Sequence, residues 1–149
     1  MRHALPLLLL ALPAAADTVP LDGAWTTAPA GVALAPACPP AFDDLATQMA
    51  SMTARQMTED YAWGGAFDPS RLPAFQAQGE GQSVTWTRDG AAWIGELVGP
   101  EGEAGTIRMT LEAPDRIAAS VTMDVARMMD DINLAGCEIV LDFLMTHGG

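Results

Sequence analysis

The sequence predicts a mainly β protein of the β-rich α+β class. We expect an antiparallel meander of roughly six to eight strands, barrel-like or half-closed, with one amphipathic helix near residues 41–54 and one disulfide. Three observations predict this fold. Apolar and polar residues alternate in four segments between Val84 and Met145, one earlier segment has apolar residues at helical spacing, and the chain has two cysteines. Short connections between the alternating segments favour pairing of strands that are neighbours in sequence.

Turn-forming residues separate the predicted strands. Asp89-Gly90 is the signal of a two-residue type I′ hairpin turn, in which both central residues need a positive φ. It joins predicted strands at residues 83–87 and 91–98. Residues 99–105 are predicted to be a loop, and further strands follow at residues 106–111, 117–125 and 137–145. In the last strand one face carries Cys137, Ile139, Leu141, Phe143 and Met145.

The part of the chain before the sheet contains the helix and two less regular segments. Residues 28–40 include four prolines, so we predict an extended crossing segment that forms neither a helix nor an inner strand. A helix follows Pro39-Pro40, because proline is accepted in a first helical turn. Residues 57–63 are predicted to be a strand, with a helical continuation as the alternative. The apolar stripe of the helix comprises Phe42, Leu45, Met49 and Met52.

Gly23-x-Trp25, at the start of the first predicted strand, resembles the entry of lipocalin-like barrels. The resemblance covers three residues. The pattern of residues 19–27 itself, a loop that leads into a first strand, predicts that Trp25 points inward. In that family an arginine on the last strand covers the tryptophan. The last predicted strand here has no arginine, so the chain is not assigned to the family.

The first 16 residues predict export. Arg2 and His3 precede an apolar run over residues 5–12, and Ala14-Ala15-Ala16 offers the small residues that signal peptidase needs. The run is too short for a membrane span, which needs about 20 apolar residues. We therefore predict a signal peptide at residues 1–16, a single β-rich domain at residues 17–149, and no membrane insertion after cleavage. The expected location is the bacterial periplasm, with the extracellular medium as the alternative.

An oxidising compartment makes a disulfide between Cys38 and Cys137 the natural state of the two cysteines. The charge is strongly acidic, with 19 acidic and 7 basic residues, no lysine and a net charge of −12. Such a charge repels nucleic acid and anionic membranes. With both cysteines paired, one histidine, His147, beyond the signal segment and no lysine, the sequence offers no nucleophilic triad and no Schiff base. We predict no catalytic residue and no cofactor.

Two other chemistries remain as alternatives. A carboxylate-based hydrolase would use Glu96, Glu138 and Asp142, although alternation places these residues on solvated strand faces. A Cu(I) carrier would use the thioethers of Met49, Met52 and Met57, although methionine also fills apolar cores.

Tryptophans give the best indication of function. Trp63, Trp86 and Trp93 lie in or beside predicted strands, and small barrels have room for packed side chains or one small ligand. We predict a non-enzymatic exported binding or interaction domain. It would hold an unknown small apolar or aromatic ligand against these tryptophans, or bind a protein partner on its acidic surface.

Overall fold

The computed structural model describes residues 18–53, 56–76 and 79–148, so the predicted signal peptide lies outside the described residues. Within the described residues, seven antiparallel strands form one sheet that curls into a half-barrel. The strands are β1 (Gly23–Leu34), β2 (Met57–Tyr61), β3 (Ser83–Asp89), β4 (Ala92–Gly99), β5 (Gly102–Ala113), β6 (Arg116–Asp124) and β7 (Glu138–His147). Their order in the sheet is β2-β1-β7-β6-β5-β4-β3. The α-helices are α1 (Asp43–Thr53) and α2 (Val125–Met129), and short 3₁₀ turns occupy Pro40–Phe42, Pro69–Arg71, Pro73–Phe75 and Ile132–Leu134.

The predicted fold class is confirmed. Helix α1 falls within the predicted range, and its first turn contains Asp43 and Asp44, where the helix dipole favours negative charge. The segment after α1 is strand β2, which agrees with the predicted strand rather than with the helical alternative. Strands β3 to β7 follow one another as a meander, and β1 pairs with β7 so that the first and last strands are neighbours.

Strand β1 shows that the prediction for residues 28–40 was wrong in part. The strand continues to Leu34 and pairs with β7 along its length. Strand β2 pairs only with residues 23–27 of β1, and a bulge interrupts the β1–β7 ladder between Pro29 and Gly31. Pro29 therefore lies beyond the reach of β2 and beside a bulge, which is where a strand tolerates the missing N–H of proline.

Two predicted turns also need correction. The first hairpin turn is Gly90-Ala91, because Asp89 pairs with Ala92; Gly90 has a φ of 60° and Asp89 has a negative φ. A positive φ at the first central position alone is the pattern of a type II′ turn rather than type I′. Residues 102–105 belong to β5 and not to a loop. Gly105 permits a close approach to β6, since a Cβ there would overlap the carbonyl oxygen of Thr122.

Apolar side chains on the concave face of the sheet form two clusters. The first, called the tryptophan cluster, consists of Trp25, Trp63, Leu72, Phe75, Ile107, Met109, Ile117, Ala119 and Met145. The second, called the disulfide cluster, consists of Val125, Leu134, Cys137, Ile139 and Leu141. Phe42, Leu45 and Met49, from the predicted apolar stripe, pack against the disulfide cluster, so α1 covers that part of the concave face.

The predicted disulfide between Cys38 and Cys137 is confirmed. It joins the segment before α1 to the start of β7, and Cys137 is fully buried within the disulfide cluster. A disulfide is consistent with an oxidising, exported location. None of the described helices is long and apolar enough to cross a membrane.

Trp25 points inward, as predicted, and is fully buried. Its indole N–H donates a hydrogen bond to the carbonyl oxygen of Leu21 at 2.8 Å. Its ring contacts Trp63 edge-on, with ring centroids 5.9 Å apart, and contacts His147 in the same manner at 5.6 Å. The last strand therefore covers this tryptophan with a histidine.

Candidate functional site

The concave face of the half-barrel contains a pocket of about 520 Å³. It touches both apolar clusters, because Ile107 and Phe75 belong to the tryptophan cluster and Leu141 belongs to the disulfide cluster. Six strands and the segment after the turn at Pro69–Arg71 contribute to its wall. The described lining residues are Thr27, Pro29, Met57, Ala74, Phe75, Gln76, Gln82, Leu97, Ile107, Val121, Met123, Leu141 and Phe143.

Strand register explains why the wall is apolar. Val121 pairs with Ile107 on one side and with Leu141 on the other, so these three side chains lie side by side on the concave face. The polar lining residues are Thr27, Gln76 and Gln82, and none of the described lining residues is charged. A wall of this composition favours an apolar molecule with few hydrogen-bonding groups.

One side of the pocket is an aromatic wall that local hydrogen bonds hold in place. Phe75 is 5% exposed and contacts Phe143 edge-to-face, with ring centroids 5.7 Å apart. The 3₁₀ turn at Pro73–Phe75 presents Phe75. Gln76, the next residue, donates from its side-chain amide to the carbonyl oxygen of Pro69 at 2.9 Å. These contacts position the wall without any ligand.

The exposed part of the pocket wall, called the mouth, includes residues near both ends of the sheet. Strands β2 and β3 are the two ends of the strand order. The exposed lining residues are Met57 in β2, Ala74, and Gln82, which directly precedes β3. Gln82 accepts a hydrogen bond from the N–H of Gly79 at 3.0 Å through its amide oxygen. Its amide nitrogen is therefore the group that can donate to a molecule at the mouth.

A carboxylate stands beside the mouth on the same face of β2 as Met57. Glu59 is half-buried and accepts a hydrogen bond from the hydroxyl of Tyr61. Burial raises the pKa of the Tyr61 hydroxyl, and the hydrogen bond to Glu59 and its negative charge raise this pKa further. Tyr61 is therefore protonated at neutral pH and remains a donor to Glu59.

The structure places the three predicted tryptophans around the core rather than in the pocket wall. Trp63 is 1% exposed in the tryptophan cluster, and half-buried Trp86 packs against the same cluster, with its ring over Gly95. Trp93 is half-buried and lies opposite Met109. None of the three is among the described lining residues. Their contact with a ligand stays a prediction.

The indole N–H groups of Trp63 and Trp86 are buried and have no hydrogen-bond partner among the described residues. A buried donor without a partner costs free energy. Both tryptophans therefore contribute through the apolar area that they bury rather than through a polar contact. Most of the lining residues that the sequence analysis did not identify are aliphatic. The alternating pattern of apolar and polar residues indicated only that several of them lie in the core.

The structure describes the surroundings of two of the three methionines of the Cu(I) alternative. Met49 packs against the disulfide cluster, Met57 lies at the mouth, and the Met52 side chain lies outside the described part. Within the described residues there is no group of three His, Cys, Asp or Glu side chains that could hold a metal ion. This finding does not concern methionine, so the Cu(I) carrier remains an alternative hypothesis.

The three carboxylates of the alternative hydrolase are exposed and lie on the outer face of the sheet. Glu96 is flanked in β4 by Gly95 and Leu97, which face inward. Glu138 and Asp142 lie four residues apart in β7, which is about 13 Å along a strand. Like the Cu(I) carrier, the carboxylate-based hydrolase remains an alternative hypothesis.

Comparison with known protein families, curated proteins and solved structures finds no match to this chain. Function is therefore inferred from the pocket itself.

Proposed function

We propose that this protein is an exported, non-catalytic binding protein that holds a small apolar molecule in the half-barrel pocket. The observation that carries the proposal is the pocket of about 520 Å³, whose described wall has no charged residue. Ligand pockets have volumes of about 300–1,000 Å³ and are lined mainly by apolar and aromatic side chains. Phe75 and Phe143 supply the aromatic part of this wall.

Export is part of the same proposal. Residues 1–16 have the pattern of a signal peptide, and the disulfide between Cys38 and Cys137 suits an oxidising compartment. The bacterial periplasm is the proposed location. In such an aqueous compartment the free energy falls when the apolar surface of a poorly soluble molecule leaves water. This decrease is the driving force for binding here.

The size of the pocket gives the expected affinity. An apolar cavity of about 150 Å³ admits benzene, so about 520 Å³ admits about 20 heavy atoms. Ligands of this size bind with about 0.3 kcal/mol per heavy atom, which gives about 6 kcal/mol. We therefore expect dissociation constants on the order of tens of micromolar.

A pocket-filling substitution tests the proposal. Val121 lies at the centre of the concave wall, and Val121→Phe would place a ring in the space that the ligand needs. The adjacent residue Ser120 faces the opposite side of β6, so Ser120→Phe is a matched control. We expect the fluorescent apolar dye N-phenyl-1-naphthylamine to bind the native protein, and Val121→Phe to weaken its binding by at least about tenfold. Ser120→Phe should leave binding unchanged.

Circular dichroism would establish that both variants keep the native fold. If the folded native protein does not bind the dye, or if Val121→Phe binds it as tightly as the native protein does, the proposal is wrong. Equal weakening by Ser120→Phe would also contradict it, because the dye would then bind elsewhere.

A further inference from the structure

We propose that the pocket selects an uncharged single-chain amphiphile, such as a long-chain alcohol, over the corresponding carboxylate, and that Glu59 is responsible for this selection. The inference rests on the proposed function, since it names the ligand class of the same pocket.

The curved wall of the pocket favours a flexible ligand. Its lining residues come from β2, β1, β7, β6, β5 and β4, which are successive neighbours in a sheet that curls around the pocket. A flexible alkyl chain can follow such a curved wall. Met57 and Met123 in the wall can adapt to it, because methionine is unbranched and flexible.

The polar end of such a ligand belongs at the mouth. Met57, Ala74 and Gln82 are the exposed lining residues, so the mouth is where a head group keeps contact with water. There the amide nitrogen of Gln82 can donate a hydrogen bond to a hydroxyl or carbonyl oxygen of the ligand. Because no described lining residue is charged, the wall offers a ligand carboxylate no arginine partner.

Glu59 makes the mouth unfavourable for an anion. It follows Met57 by two residues in β2, so it lies on the same face about 6.7 Å along the strand. The Tyr61 hydroxyl donates to this carboxylate but does not neutralise it. A ligand carboxylate beside Met57 would therefore meet a like charge at short range, in a protein whose net charge is already −12.

Arg71, which lies between β2 and the aromatic wall in the chain, already binds other groups. It donates to the carbonyl oxygens of Ala62 and Trp63, each at 2.8 Å, and lies 3.7 Å from a carboxylate oxygen of Asp68. Arg71 is not among the described lining residues of the pocket.

Competition between two matched lipids tests the inference. Dodecan-1-ol and dodecanoate have the same alkyl chain and differ in head-group charge. At pH 8 and low ionic strength, we expect dodecan-1-ol to displace the bound dye at a concentration lower by at least about tenfold than dodecanoate requires. Glu59→Gln should raise the affinity for dodecanoate and narrow this difference, while the affinity for dodecan-1-ol stays unchanged.

Asp60→Asn is the matched control for Glu59→Gln. Asp60 is the next residue in β2, is exposed, and faces the opposite side of the strand, so its replacement removes the same charge outside the pocket. The control should leave the difference between the two lipids unchanged.

The outcomes separate the two levels of the proposal. If dodecanoate binds as tightly as dodecan-1-ol, or if Glu59→Gln acts no more strongly than Asp60→Asn, the inference about head-group selection is overturned while the binding function stands. If the dye binds but neither lipid displaces it, the inference about the ligand class is overturned while the binding function stands. If the folded native protein does not bind the dye, the proposed function fails together with the inference.

Discussion

Replacement of both cysteines, as Cys38→Ala/Cys137→Ala, is expected to lower the free energy of unfolding by about 4–5 kcal/mol. The disulfide joins residues that are 99 apart in sequence, so its loss frees a long loop in the unfolded chain. It also removes the covalent link between the segment before α1 and the start of β7. Urea unfolding followed by tryptophan fluorescence measures the change.

Reduction of the native protein provides a control that leaves every other side chain in place. Reduced native protein should unfold at nearly the same urea concentration as the double alanine variant. The free energy of unfolding should be slightly lower for the variant than for the reduced protein, because Cys137 is fully buried and alanine leaves a cavity there. A loss below about 1 kcal/mol in both proteins would show that the disulfide contributes little to stability.

Trp25→Ala is expected to lower the free energy of unfolding by about 3–5 kcal/mol. Trp25 has no exposed surface and contacts Trp63 and His147 edge-on. The substitution would leave a large cavity where β1, β7 and the tryptophan cluster meet. It would also remove the indole N–H that donates to the carbonyl oxygen of Leu21. Urea unfolding monitored by circular dichroism measures the loss without relying on the fluorescence of the deleted tryptophan.

Trp93→Ala is the matched control, since Trp93 lies on the same concave face but is only half-buried. Trp93→Ala should lower the free energy of unfolding less than Trp25→Ala does. The half-buried Trp93 removes less apolar surface from water in the native protein, and its replacement leaves a smaller cavity. If Trp93→Ala costs as much as Trp25→Ala, the special role assigned to Trp25 in the core is wrong.

The sequence predicted the central strands well, because their side-chain period is unambiguous. Ile117, Ala119 and Val121 alternate with small or polar residues, and the structure places all three on the concave face. The disulfide could also be predicted, because two cysteines in a chain with a predicted signal peptide leave a single pairing. The helix followed from apolar spacing after two prolines.

Errors arose where a residue's role depends on its neighbours in space. Pro29 is acceptable in β1 only because β2 is too short to pair with that part of the strand. Gly105 resembles a turn residue in the sequence, whereas its role is to let β5 approach β6 closely. Neither the length of β2 nor the spacing of two strands can be derived from local sequence patterns.

The sequence analysis predicted a ligand held against Trp63, Trp86 and Trp93, and it did not identify the residues that line the pocket. The largest apolar side chains seemed the natural lining, yet Trp63 fills the core with 1% of its surface exposed. The described wall instead consists mainly of smaller residues such as Val121 and Leu141 together with Phe75. A cavity is the space that side chains leave unfilled, and its position depends on how the segment around Phe75 packs under the sheet.

Native mass spectrometry of the protein equilibrated with a lipid extract of its own cell, at ligand concentrations above tens of micromolar, tests the central claim most directly. The account predicts a second species heavier than the bare chain by about 300 Da, the mass of a molecule of about 20 heavy atoms. This species should disappear on denaturation and be absent from folded Val121→Phe. Detection of the bare chain alone in the native protein under gentle conditions, or an equal adduct on Val121→Phe, would contradict the account.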